Sequence, residues 1–178
     1  MTDPRSDNLQ HELTKLLPNL RAFARSLSGN ADRADDLVQE TLVKAWQNRS
    51  SFAEGSNLKA WLFTILRNCF ISERRKKRHE VEDGDGYLAA SVGIPGAQSS
   101  HMDLLDFAKA FECLPDDQRE ALILIGAEGF AYEEAAQMCG CAVGTMKSRV
   151  NRARTRLSAM LEVKEPETVG AGADGKGK

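Results

Sequence analysis

The sequence has no apolar run long enough to cross a membrane, and its first residues lack the apolar core of a signal peptide. A protein that stays in the cytoplasm, away from membranes, is therefore expected. The four cysteines form no C-x-x-C pair, and no histidine stands at zinc-ligand spacing from Cys139 or Cys141. We predict reduced cysteines that act as small buried residues, with neither a metal ion nor another cofactor.

The sequence also lacks the residue groupings on which most enzymes depend. It holds no Ser/His/Asp order, no glycine-rich phosphate loop and no prominent carboxylate pair, which argues against a catalyst with a small-molecule substrate. Sustained two-residue alternation rich in β-branched residues is missing too, which argues against a β-sheet. Apolar residues recur instead at three- and four-residue spacing along most of the chain. The prediction is an all-α protein that is not an enzyme.

Charge is small in sum but segregated along the chain. The formal net charge is −2, which by itself does not indicate a nucleic-acid binder. Basic residues nevertheless gather within Arg74–Arg78 and Lys147–Arg156, while acidic residues gather within Asp32–Glu40 and Asp103–Asp117. Separate basic and acidic surfaces predict two kinds of partner.

Glycine and proline mark a boundary between two predicted helical domains. The helical pattern fails between about residues 79 and 100, a stretch that is long for a loop inside one compact domain. The predicted division is a first domain at 1–80, a flexible linker at 81–101, a second domain at 102–161 and a disordered tail at 162–178.

Four residues of the first domain carry specific structural predictions. Pro18 lies inside an apolar helical pattern and is expected to end, kink or restart the first helix. Asn57 is a good N-cap for the third helix. Trp46 and Trp61 each lie on an apolar stripe, so both are predicted to be core residues.

A short helix, a turn and a longer helix are predicted in succession in the second domain. They are Tyr132–Cys139, Gly140–Ala142 and Val143 to about Leu161. In a helix-turn-helix, the first turns of the second helix meet base edges and phosphates. The predicted DNA contacts are Thr145, Lys147, Ser148, Arg149, Asn151 and Arg152. The alternative is a solvated arginine-rich face on an ordinary helix bundle, which the preceding helix and glycine turn disfavour.

These motifs closely resemble those of extracytoplasmic-function (ECF) sigma factors. Ala135–Arg154 resembles the promoter-reading helix-turn-helix of that family, and Leu114–Arg119 resembles the start of its C-terminal domain. Ala34–Thr41 and Lys59–Asn68 resemble its N-terminal domain, so both halves occur in family order. Within the family, the chain looks most like the EcfG class, which directs the general stress response of alphaproteobacteria.

The resemblance implies two small helical domains, of the sigma-2 and sigma-4 type, and the function of an alternative sigma factor. Such a protein binds core RNA polymerase through the β′ clamp helices and the β flap, and it directs promoter recognition and transcription initiation. The implied partners are therefore core polymerase, promoter DNA and an anti-sigma factor of the NepR type that holds the protein in check.

The same resemblance assigns further binding residues in the first domain. The second helix presents an acidic and polar face, expected to dock on polymerase through Asp36, Gln39, Glu40 and Lys44. A polar loop with one aromatic suits a pocket for an extruded base, and the next helix carries side chains off its apolar stripe that can hold DNA. The residues assigned to the −10 element and to melting are Asn48, Arg49, Ser51, Phe52, Lys59, Phe63, Arg67, Asn68, Arg74 and Arg75. A merely solvated helix face or helix end is the alternative in both cases.

Two rival functions stay open at the level of sequence. A helix-turn-helix regulator that acts without polymerase would explain Tyr132–Leu157 but not the first domain. A sigma-like decoy that only captures an anti-sigma factor would have no need of Lys147, Arg152 or the Arg74–Arg78 run. One local departure is Ala142, a poor N-cap at the start of the recognition helix.

Overall fold

The structure, a computed structural model, describes the backbone of residues 4–53, 55–82 and 100–162, with side chains described within residues 10–53, 55–77 and 105–162. This described backbone is α-helical and contains no strand, as the apolar spacing predicted. Its α-helices, in chain order, are α1 (Pro4–Ser28), α2 (Ala31–Gln47), α3 (Leu58–Glu82), α4 (Ser100–Glu112), α5 (Asp116–Leu122), α6 (Tyr132–Cys139) and α7 (Val143–Glu162). The predicted linker and tail lie largely outside the described residues.

The N-terminal half is formed by α1, α2 and α3. Of the outcomes expected at Pro18, an end or a restart of the helix is wrong, because α1 continues through it as one helix. Pro18 is exposed, so its ring meets no packed neighbour, while Leu20 and Phe23 on the buried side are fully enclosed. Burial of large apolar side chains contributes about 1.5–3 kcal/mol each, enough to offset the roughly 3 kcal/mol that an internal proline costs.

Asparagine side chains begin two of these helices. The Asn30 Oδ1 atom accepts a hydrogen bond from the Arg33 backbone N–H at 3.0 Å, at the start of α2. The Asn57 Oδ1 atom accepts from the Ala60 backbone N–H at 3.1 Å, at the start of α3. The predicted cap at Asn57 is thereby confirmed, and each such cap satisfies a donor that the helix itself leaves unpaired.

The C-terminal half is formed by α4 to α7, with a π-helical turn at Ile123–Ala127 after α5. Ala121 and Leu124 are almost fully buried, so this apolar segment belongs to the core. Gly140 ends α6 in the left-handed conformation, with φ 61°, and the Cys141 backbone N–H donates to the Ala136 carbonyl at 3.0 Å. A glycine is favoured there because other residues strain at positive φ. The helix-turn-helix is therefore present with the predicted bounds.

One apolar cluster extends through both halves and joins them. Phe63 of α3 stacks on Phe23 of α1 with ring centroids 4.8 Å apart. The other side of Phe63 meets the edge of Phe130, from the C-terminal half, at 5.3 Å. The sequence predicted two domains but not this close packing between them.

Two of the four cysteines are buried. The cysteines are not joined by disulfides; Cys69 and Cys139 are buried, whereas Cys113 is exposed and Cys141 is half-buried. The prediction of buried cysteines therefore holds for only part of the set.

No helix in the described part of the chain is long and apolar enough to span a membrane.

Candidate nucleic-acid and polymerase interface

The recognition helix α7 separates an apolar inner face from a polar outer face. Met146, Val150, Ala153 and Leu157 are buried at three- and four-residue steps, so they fix the helix against α4, α5 and α6. The remaining positions of the first turns face outward. The exposed residues of this outer face are Thr145, Lys147, Ser148, Asn151 and Arg152.

Local contacts hold part of that outer face in place. The Arg152 guanidinium donates to the Ser148 hydroxyl at 3.0 Å and to the Ser148 carbonyl at 3.3 Å. The Lys147 ammonium stands 5.7 Å from the centroid of the Tyr132 ring. Within the described residues, neither Lys147 nor Arg152 pairs with a carboxylate. Their charges therefore face solvent and can meet DNA.

Arg149 differs from its neighbours because it is turned toward the protein. Its Nε atom lies 3.2 Å from the Asp117 carboxylate, and one terminal nitrogen donates to the Cys141 sulfur at 3.8 Å. The side chain is largely covered, at 21% exposed. The structure thus ties Arg149 to the start of α5, and only part of its guanidinium faces outward.

The loop between α2 and α3 is closed by its own hydrogen bonds. The Asn48 side-chain amide donates to the Lys44 carbonyl at 2.8 Å, and the Ser51 hydroxyl donates to the Asn48 carbonyl at 2.7 Å. Phe52 packs against Trp61, with ring centroids 5.2 Å apart. The predicted loop residues are therefore brought together, with Asn48, Arg49 and Ser51 exposed and Phe52 half-buried.

The basic face of α3 is covered by the C-terminal half. The Lys59 ammonium lies 2.8 Å from the Glu128 carboxylate and also donates to the Glu128 carbonyl at 2.8 Å. The same ammonium stands 5.0 Å from the Phe130 ring centroid. Phe63, predicted to lie off the buried stripe, is only 1% exposed. That surface prediction is wrong for this arrangement because Phe130 covers the ring.

Two further cations of α3 pair with α5, while two predicted residues stay exposed. The Arg67 Nε atom lies 2.6 Å from Glu120, and Arg74 pairs with Asp116. Asn68 and Arg75 are exposed. The residues that sequence reasoning grouped for the −10 element are thus close together, but part of the group faces carboxylates of the other half.

Cys139 at the end of α6 lies beside the Arg67–Glu120 pair. Burial and the negative charge of Glu120 raise the pKa of the Cys139 thiol to about 12, although Arg67 opposes the shift. The thiol therefore stays protonated near neutral pH and is a poor nucleophile or metal ligand. Among the described residues, no three histidine, cysteine or acidic side chains form a group that could hold a metal ion.

The outer face of α2 combines acidic and apolar residues. Asp36, Gln39 and Glu40 are exposed, and Lys44 pairs with Glu40 at 2.7 Å. That hydrogen bond with Glu40 raises the pKa of the Lys44 ammonium, so Lys44 stays positively charged near neutral pH. The four residues predicted to dock on polymerase therefore lie on one face.

Sequence reasoning missed two residues of this same face. Val43 is 54% exposed and Trp46 is 43% exposed, with the Arg49 guanidinium 5.1 Å from the Trp46 ring centroid. The prediction that Trp46 is a core residue is wrong, whereas Trp61 does pack against the core. The spacing held the signal, because positions 39, 43 and 46 fall on one side of a helix.

Two family models match the chain, and they divide it as the fold does. Sigma-70 region 2 matches residues 13–80, and Sigma-70, region 4 matches residues 104–157. A helix-turn-helix regulator that acts without polymerase leaves the first match unexplained. Both matches lie in the order expected of a promoter-reading subunit of RNA polymerase.

The chain is similar to known sigma factors over most of its length. It is 59% identical over 167 residues to the ECF RNA polymerase sigma factor EcfG of Rhodopseudomonas palustris (strain TIE-1), which covers 94% of this chain and 92% of that protein. The solved structure of the sigma factor RpoE of Bartonella quintana, in complex with the anti-sigma factor NepR, is 59% identical with a TM-score of 0.80, covering 89% of this chain and 99% of that one.

A more distant likeness concerns the fold alone. The PhyRSL–NepR complex from Sphingomonas sp. Fr1 matches with a TM-score of 0.65 at 19% identity, covering 94% of this chain and 98% of that one. The identity to EcfG and RpoE, by contrast, extends through both halves. The chain therefore belongs to the extracytoplasmic-function family of RNA polymerase sigma factors, proteins that bind core polymerase and direct it to promoters.

Proposed function

We propose that this sigma factor directs transcription of general stress-response genes, and that it acts in the cytoplasm as a binding protein without enzymatic activity. Its first domain, at 1–80, contacts polymerase and the −10 element, and its second domain, at 102–161, reads the −35 element. Residues 81–101 link the two, and residues 162–178 form a tail. The observation that carries the proposal is the exposed outer face of α7, on the same chain as a region 2 domain.

Transcription from genomic promoters tests this function directly. Purified core polymerase, alone and with the chain, is given a library of promoter fragments from the source genome, and the transcripts are sequenced. We expect starts downstream of one recurring pair of −35 and −10 elements, enriched for stress genes. If the chain adds no start to those of core enzyme alone, the sigma activity is rejected, and a regulator or a decoy becomes the better account.

The recognition helix is proposed to read the −35 element in the major groove. Arginine and lysine suit guanine, asparagine suits adenine, and serine or threonine suits several bases. The proposed base-reading residues are Thr145, Lys147, Ser148, Asn151 and Arg152. Arg149 is proposed to contact phosphate, because its pairing with Asp117 leaves only part of the guanidinium facing outward.

The loop at 48–52 and the basic face of α3 are proposed to read and open the −10 element. An extruded base needs a pocket with polar groups and a stacking surface, which Asn48, Arg49, Ser51 and Phe52 offer. The separated strand needs cations along its backbone. The α3 cations proposed for that task are Lys59, Arg67, Arg74 and Arg75, and the exposed Asn68 supplies a further polar contact.

The outer face of α2 is proposed to dock on the β′ clamp helices, while the second domain contacts the β flap. Asp36, Gln39, Glu40 and Lys44 supply polar contacts, and the exposed Trp46 adds an apolar anchor of the kind that dominates protein interfaces.

Pull-down of core polymerase tests the docking face. The charge-changing double variant Gln39→Arg/Glu40→Lys is expected to abolish binding, and Trp46→Ala is expected to weaken it by about tenfold or more. Glu133→Lys/Gln137→Arg is the matched control, because it makes the same two substitutions at exposed positions of α6, away from the α2 face. Equal binding by Gln39→Arg/Glu40→Lys and the control would move the polymerase contact elsewhere.

An anti-sigma factor of the NepR type is proposed to hold the chain inactive. The support is the RpoE structure, which contains NepR and matches this fold with a TM-score of 0.80. Addition of purified NepR to the transcription assay is expected to remove the stress-promoter transcripts in proportion to the NepR added. Transcription that is indifferent to excess NepR would exclude this regulator.

A further inference from the structure

Three carboxylates of the C-terminal half pair with three of the four α3 cations that we assign to the −10 element. Glu128 holds Lys59 at 2.8 Å and Glu120 holds Arg67 at 2.6 Å. Asp116 pairs with Arg74 nearer the surface. The inference drawn from these pairs rests on the proposed function, because it depends on α3 as a DNA-binding face.

The inner two pairs are well enclosed. The side chains of Lys59 and Glu128 are 26% and 6% exposed, and those of Arg67 and Glu120 are 17% and 10% exposed. Lys59 is further enclosed by the Phe63 and Phe130 rings, at 5.7 and 5.0 Å from its ammonium. Glu128 also accepts from the Asn19 amide at 3.0 Å, which fixes the carboxylate. Neither cation can meet a phosphate while these contacts persist.

A carboxylate and a phosphate compete for the same hydrogen-bond donors on these cations. Both present anionic oxygens that accept charge-assisted hydrogen bonds at about 2.7–2.9 Å. Lysine and arginine at one position therefore bind one anion or the other. The pairing seen here satisfies the cations within the chain and leaves α3 with less charge to offer DNA.

Stability alone does not account for charged pairs at this interface. Buried ion pairs contribute little net stability, and well-packed apolar residues often serve as well or better. The interface already contains the apolar contact of Phe63 with Phe130, and further apolar residues in place of the charged pairs would enlarge the apolar surface exposed when the halves separate. Charged groups are well solvated in water, so they suit an interface that both closes and opens.

We propose that Glu120, Glu128 and Asp116 are an intramolecular competitor for promoter DNA. In the closed chain they occupy Arg67, Lys59 and Arg74, so the −10 surface is masked by the domain that reads the −35 element. Separation of the halves exposes the carboxylates and the cations together, and DNA then takes the place of the carboxylates. The chain thereby limits its own binding to DNA before polymerase engages it.

Binding of the full chain to a fluorescein-labelled single-stranded 20-mer of mixed sequence tests this competition. The variant Glu120→Gln/Glu128→Gln removes two competitor charges and frees two cations. The matched control is Glu112→Gln/Glu133→Gln, which removes two charges from exposed positions of the same half. Both variants have the same net charge, so a difference between them reports the specific pairs rather than general repulsion.

The competitor variant is expected to bind the 20-mer about tenfold more tightly than the control. The slope of log K against log salt should steepen by about 1.4 units, because each released contact to single-stranded DNA adds about 0.7. Small-angle scattering should give it a larger radius of gyration than the control. Equal affinity and equal slope for the two variants would overturn the proposal.

Two further measurements keep the test decisive. If circular dichroism shows that Glu120→Gln/Glu128→Gln does not fold, Asp116→Asn replaces it, since that pair is exposed, and a slope increase of about 0.7 over Glu112→Gln is then expected. The transcription assay with core polymerase distinguishes a failure of the competitor proposal from a failure of the proposed sigma function. Intact transcription with unchanged DNA affinity rejects the competitor but not the sigma factor, whereas absent transcription from the unaltered chain rejects the sigma function itself.

Discussion

The two basic surfaces of the chain differ in what stands in front of them. On α7, Lys147 and Arg152 face solvent, and no carboxylate of the described residues pairs with either. On α3, Lys59 and Arg67 face carboxylates of the other half at 2.8 and 2.6 Å. A difference of position, not of residue type, thus separates an accessible surface from a masked one.

This comparison shows that a basic cluster in a sequence does not by itself predict an available binding surface. The electrostatic attraction of a cation for DNA depends on whether another anion already satisfies it. Under the proposed assignment, the closed chain therefore offers its −35 surface to DNA and withholds its −10 surface. Five predictions test the two sides of that contrast.

The largest expected effect concerns Cys139, which lies beside the masked pair. Its pKa of about 12 leaves roughly a thousandfold less thiolate at pH 8 than a thiol of pKa about 8.5. Iodoacetamide should therefore alkylate Cys139 at least about a thousandfold more slowly than the exposed Cys113, as measured by mass spectrometry of timed digests. Comparable rates would mean that this side of the interface is open.

The same raised pKa has a consequence for stability against pH. The folded chain keeps the Cys139 proton at pH values where the unfolded chain has released it, so the thiol favours folding less as pH rises. The free energy of unfolding should decline from about pH 8.5 upward through the pKa of about 12. Cys139→Ala, measured by urea unfolding across that range, should remove this part of the decline.

The next effect concerns Phe63, which joins the halves. Phe63→Ala is expected to lower the free energy of unfolding by about 3–4 kcal/mol, because the ring is buried between Phe23 and Phe130. Urea unfolding measures the change. Phe107→Ala is the control, at 42% exposed, and should cost less than about 1 kcal/mol. A loss of unfolding free energy as small as that of Phe107→Ala would mean that the Phe63 ring is exposed, as the sequence pattern predicted.

A smaller effect is expected on the accessible side. Arg152→Ala should weaken binding to −35 duplex DNA by about 1–3 kcal/mol, because one base-reading side chain is lost. Arg156→Ala is the comparison, since Arg156 is exposed one turn further along α7 and should act only through phosphates. Competition between cognate and altered −35 sites separates the two, with relaxed specificity expected for Arg152→Ala alone. Unchanged specificity in both would remove Arg152 from the base-reading set.

The smallest effect concerns the start of α7. Ala142 accepts the first backbone hydrogen bond of that helix, from Met146 at 3.1 Å, but its side chain cannot cap it. Ala142→Ser should raise the free energy of unfolding by about 1 kcal/mol, which is about 2–4 °C in Tm. Calorimetry measures the gain, and −35 specificity should not change. A lower Tm would mean that the uncapped turn has another role.

Local features were predictable from sequence, and the helix-turn-helix is the clearest case. Gly140 ends α6 and the apolar stripe from Met146 to Leu157 directs α7, and both signals come from neighbouring residues. The cap at Asn57 is local in the same sense. These features depend on residues close together in the chain, so the sequence pattern was enough to predict them.

Features that depend on distant residues escaped prediction. The sequence places Phe63 off the buried stripe of α3, yet the ring stacks on Phe23 of its own half and also contacts Phe130, far along the chain. Pro18 sits on the exposed side of a helix whose opposite side is strongly packed, and no local rule weighs one against the other. Trp46 was placed in the core by its apolar character, although it lies at the end of α2, where the bundle no longer covers it.

The π-helical turn at Ile123–Ala127 determines where Glu128 stands relative to α5. The Glu128 backbone N–H donates to the Ile123 carbonyl five residues back, at 2.9 Å, so the turn holds one residue more than an α-helix would. Substitution of Gly126 is tolerable, since a Cβ there would meet only the Leu122 Cδ1 atom, at 3.8 Å. Deletion of one residue would rotate Glu128 by about 100° relative to α5 and swing it away from Lys59. The length of this segment therefore places Glu128 against Lys59.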